Sequence, residues 1–160
     1  MESAPAADRD ETDTERFDRN WDELLQELRV TQTGVQLLAG FLLTLPFQQR
    51  FATITEVQRN AYLAALATAV LATALFVAPV SAHRLMFRRH AKAELVRFAD
   101  IAARTGLVVL AISITAATFL IFDVVMGRGV ALTAVAVAVT VFAVNWWVLP
   151  LVVRHRLTRR

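Results

Sequence analysis

AYLAALATAVLATALFVAPVSA, residues 61–82, runs for 22 residues without a charge. At ~1.5 Å rise per residue, a helix of that length reaches ~33 Å, enough for a ~30 Å hydrocarbon core. Its apolar residues surround the helix instead of lining one face, so it does not read as the surface helix of a soluble bundle. Three more stretches share this character. Residues 30–47 give 18 without charge, although Gln32 and Gln36 dilute the start. Residues 105–126 give 22 with one charge, Asp123, and residues 130–153 give 24 with none.

Composition agrees. The chain has 160 residues, 56% hydrophobic and 19% charged, with mean hydropathy +0.48. Four buried helices of a soluble protein would need far more polar surface than this. The sequence therefore predicts an all-α integral membrane protein, a four-helix transmembrane bundle preceded by an amphipathic cytoplasmic helix. There is no cysteine, which removes disulfides, cysteine-ligated zinc, iron–sulfur clusters and thiol catalysis.

The positive charges orient the spans. Segments 1–29, 83–104 and 154–160 hold 4, 6 and 4 Lys or Arg, while the other side holds only Arg50, Arg59 and Arg128, a split of 14 against 3. Both termini are therefore expected in the cytoplasm of a bacterium, with the protein multi-pass in its cytoplasmic membrane. The first 15 residues are acidic and polar with no apolar run before Val30, so the first span is expected to serve as its own insertion signal.

The extramembrane pieces divide by charge. Residues 1–11 are small, charged and aperiodic, and read as a disordered tail. Thr12 and Glu15 form a capping-box pattern, after which Phe17, Trp21, Leu24, Leu25 and Leu28 recur at helical spacing. This amphipathic helix, 12–29, is expected to lie along the cytoplasmic surface or pack under the bundle, then run into the first span. Segment 1–29 carries 10 acids against 4 arginines, a balance that anionic lipid repels. Segment 83–104 and the tail 154–160 each sum to +4. The charges thus predict docking of Asp18, Trp21, Asp22, Glu23 and Glu27 onto Arg88, Arg89, Arg97 or the tail, in one chain or between neighbours. Solvation of each charge is the alternative, since exposed pairs contribute only ~0–1 kcal/mol.

Within the spans, an ionisable group is the first place to seek function. Asp123 is the only one. It lies 18 residues past Thr105, ~27 Å along the helix and close to the outer boundary. An outer-rim ion pair with Arg128, or a hydrogen bond with Tyr62, competes there with proton binding. Gln36, Thr73, Ser113 and Asn145 supply one polar side chain per span at similar depth, ~9–14 Å in. They form either an ion pathway or hydrogen bonds between helices. Alanine-rich second and fourth spans suit close helix packing, within a subunit or in a homo-oligomer.

No catalytic constellation emerges. His83, His90 and His155 stand apart in basic segments without paired carboxylates, and the five glycines are scattered singly. No enzyme activity, cofactor or metal is expected. The basic patches follow from topology and need no nucleic-acid partner. Lipids, further copies of the chain or another membrane protein are the expected partners.

ELLQELR at 23–29, LPF at 45–47 and APV at 78–80 followed by His83-Arg84 resemble domain-of-unknown-function family 6328, a small actinobacterial membrane family. The resemblance covers residues 14–155. Members are often labelled sodium:proton antiporter, which implies cation/proton exchange but assigns no residues. Two functions follow as expectations: translocation of protons or monovalent cations, or a non-transporting accessory or scaffold role in which the acidic helix docks on a partner.

Overall fold

The computed structural model describes residues 13–86, 92–148 and 151; within them the side chains of 13–18, 20–25, 83–86, 92, 93 and 147 are not described. Helix α1 covers Asp13–Thr44, α2 Glu56–Met86, α3 Lys92–Met126 and α4 Arg128–Ala143, and a π-helical turn, Val144–Val148, follows α4. No strand occurs among the described residues. The architecture is all-α, and four helical stretches are long and apolar enough to cross a membrane: Gln26–Phe47, Glu56–Ala82, Glu94–Met126 and Arg128–Trp146, the first and last running on into the turns that follow α1 and α4.

The packing is that of a membrane protein. Among the described residues, half of the fourteen buried apolar ones are alanines, Ala65, Ala69, Ala72, Ala99, Ala102, Ala117 and Ala131. The large side chains point outward: Phe41 is 71% exposed and Val125 69%. Small residues at helix contacts let backbones approach, while large apolar ones suit lipid. A water-soluble globule sorts its residues the other way.

Punctuation falls where backbone chemistry requires it. Pro46 lacks an N–H and restricts the residue before it, so α1 gives way to two 3-10 turns, Leu45–Phe47 and Gln49–Thr53. Pro79 sits inside α2, fully buried; neighbouring helices make such a proline tolerable in a span. Gly127 alone joins α3 to α4, with φ at 87°, a region that other residues enter at a cost.

α1 is unbroken from Asp13 to Thr44. The amphipathic segment thus runs into the first span as one continuous helix. Neither Pro nor Gly occurs between Asp13 and Thr33 to hinge it, and Leu28 packs into a cluster with Val35, Ala72 and Phe76. At the other end of the chain, α-helical geometry gives way within the expected fourth span to the π-helical turn Val144–Val148, and Leu151 is again α-helical. Expectations for residues 1–12 and 154–160 lie outside the described residues.

Helices α2 and α3 form the central antiparallel pair, and α1 packs on both; among the described residues, the backbone of α4 comes close to α3 and not to α1 or α2. Towards its end α4 parts from the bundle, so that Val144–Val148 stands more than 8 Å, Cα to Cα, from every described residue of α1, α2 and α3. A cavity of about 580 Å³ opens beside α4, lined by Val108, Ile112, Phe119, Val139, Phe142 and Trp146 among others.

Candidate functional site

Where α2 begins and α3 ends, four polar side chains meet. The one-residue turn at Gly127 reverses the chain and brings Arg128, first residue of α4, back over Asp123. The Arg128 guanidinium donates through Nε to Oδ1 of Asp123 at 2.7 Å and through Nη2 to Oδ2 at 3.3 Å. Gln58 of α2 donates through Nε2 to Oδ2 at 2.9 Å. Charge-assisted bonds of this two-pronged kind are the stronger sort. The Asp123 side chain is 4% exposed and that of Arg128 49%, so the carboxylate is enclosed while the guanidinium reaches the rim. Arg128 also lies over the Phe119 ring, 5.2 Å from its centre, an attractive cation–aromatic placement.

Gln58 is itself held. The Thr55 amide donates to Oε1 of Gln58 at 2.9 Å, and the Gln58 amide donates to the Thr55 hydroxyl at 3.3 Å. This is a reciprocal capping box that satisfies two amides at the start of α2. One network therefore fastens the start of α2, the end of α3 and the start of α4. Tyr62, one turn further along α2, does not join it; its ring meets Phe51 edge-on at 4.9 Å. Thr55 and Gln58 were absent from the sequence-derived candidates, although Thr-x-x-Gln is itself a capping-box pattern.

The four polar residues of the spans do not converge. Ser113 is fully buried and donates to the Ala65 carbonyl of α2 at 2.7 Å, a bond between helices. Thr73 is half-buried and donates to Ala69 of its own helix at 2.9 Å. Asn145 is exposed and donates through Nδ2 to Val141 at 2.9 Å. Gln36 is exposed on α1. Of the docking set, Glu27 and Arg97 are exposed and form no ion pair with each other. The side chains of Asp18, Trp21, Asp22 and Glu23, and residues Arg88 and Arg89, lie outside the described residues. Arg104 pairs with Asp100 one turn back at 2.9 Å. No group of three His, Asp or Glu that could hold a metal ion occurs among the described residues.

The model of a family of unknown function, DUF6328, matches residues 10–150. The chain belongs to that family. No curated protein and no solved structure matches it.

Proposed function

We propose that this member of a family of unknown function is a non-transporting accessory or scaffold protein of the membrane, whose acidic α1 extension docks on a neighbouring subunit or partner. The observation that carries this reading is the state of Asp123. The only carboxylate inside the apolar spans is engaged by Arg128 and Gln58, which leaves it poorly placed to exchange a proton or hold a cation. A carrier carboxylate works by changing partners, and this one serves as the knot of a structural clasp. Ser113 and Thr73 are likewise spent on backbone carbonyls, and the cavity beside α4 is lined by alkyl and aromatic side chains apart from Thr115. α1 reaches well past the apolar run, and its Asp13–Arg29 stretch carries six acids against three arginines, a surface suited to a basic partner.

Translocation of protons or monovalent cations by an oligomer is the second reading. It is supported by the exposure of Gln36 and Asn145, two carboxamides that a neighbouring copy would bring to a shared path. Flux in proteoliposomes separates the two. The scaffold reading expects no proton or sodium flux above empty vesicles under either gradient. Flux that disappears in Asp123→Asn or Gln36→Ala overturns it in favour of transport.

A further inference from the structure

Gln36 and Asn145 stand at the same depth on helices that do not meet within one chain. Val35, beside Gln36, packs in a cluster bordered by Leu107, Val109 and Leu110 of α3. Trp146, beside Asn145, shares a cavity wall with Val108 of α3. Both carboxamides are exposed. Gln36 forms no hydrogen bond among the described residues, and Asn145 bonds only within its own helix. In hydrocarbon, a carboxamide without a partner is unfavourable, and a facing polar group relieves it.

We propose that a second copy of the chain supplies the partner, α1 of one subunit packing along α4 of the next so that Gln36 and Asn145 hydrogen-bond across the seam. The proposal rests on the docking reading above and names the neighbour as this same chain. The two helices run in opposite directions in the bundle, so their registers match from one end to the other. With Gln36 opposite Asn145, Gly40 one turn outward on α1 falls opposite Val141 on α4. No atom lies within 4 Å of a side chain built at Gly40, and Val141 is 51% exposed, so gap and knob correspond. In sequence the two partners also carry opposite charge: Asp13–Arg29 holds six acids against three arginines, while Arg154, Arg156, Arg159 and Arg160 follow α4. α4 has the free surface for this, since only 6% of its span is buried.

The absence of cysteine makes the test clean. Gln36→Cys and Asn145→Cys, on full-length chains carrying tags of different size, are co-expressed and oxidised in native membranes. A disulfide needs Cα atoms about 4.4–6.8 Å apart, closer than these positions come within one chain. The seam predicts a cross-linked product containing both tags, formed when both variants are present. Products of Gln36→Cys with itself, or no product although both thiols react with a membrane-permeant maleimide, overturn it. On the cysteine-free chain, Gln36→Leu is expected to weaken self-association in nanodiscs about tenfold; a wild-type chain that is monomeric there overturns the seam. Neither result bears on ion flux, so the seam and the scaffold reading fail separately.

Discussion

Asp123 and Arg128 illustrate how unequal the two halves of an ion pair are. Removing the guanidinium leaves a carboxylate that is almost wholly enclosed, with Gln58 as its remaining donor. Replacing the carboxylate by a carboxamide leaves an arginine that is half in solvent and free to hydrate. Stranding the enclosed partner is the costlier change. Arg128→Ala is therefore expected to lower the thermal midpoint in detergent by more than Asp123→Asn does. The reverse order would mean that the carboxylate serves something other than the clasp. The pairing of Asp123 with Arg128 was within reach of sequence because Arg128 follows five positions on, within a Gly-Arg-Gly turn. Gln58 was not, because it is 65 positions away and its approach depends on how α2 and α3 pack.

α3 approaches the Phe76 ring of α2 closely at Gly106. A methyl group there would sit 2.6 Å from Cε1 of Phe76, itself fully buried. Gly106→Ala must displace that ring, and overpacking of this kind costs about 1–3 kcal/mol. The expected outcome is a lower unfolding midpoint in detergent, recovered in part by the double variant with Phe76→Leu. An unchanged midpoint would show that the ring has room to move. Sequence located the four spans because hydropathy and length suffice for that. It missed this contact, because a lone glycine in a greasy helix carries no sign of what faces it. The ends of the spans were also hidden. Whether an amphipathic segment bends away from the span that follows depends on a hinge, and α1 continues straight through for want of one. The π-helical turn at Val144–Val148 has no counterpart in the hydrophobic pattern.

For the molecule as a whole, the separation of small residues inside from large ones outside suits lipid, and the distribution of arginines predicts which way the bundle faces. Everything proposed for α1, for the clasp at Gly127 and for the seam assumes that Arg50 and Arg97 lie on opposite sides of the bilayer. The cysteine-free background permits a simple readout: Arg50→Cys and Arg97→Cys, both at exposed positions, treated in intact cells with a membrane-impermeant maleimide. The account predicts labelling of position 50 from outside and of position 97 only after permeabilisation. Labelling of both from the same side, or recovery of the chain in the soluble fraction without detergent, would contradict it.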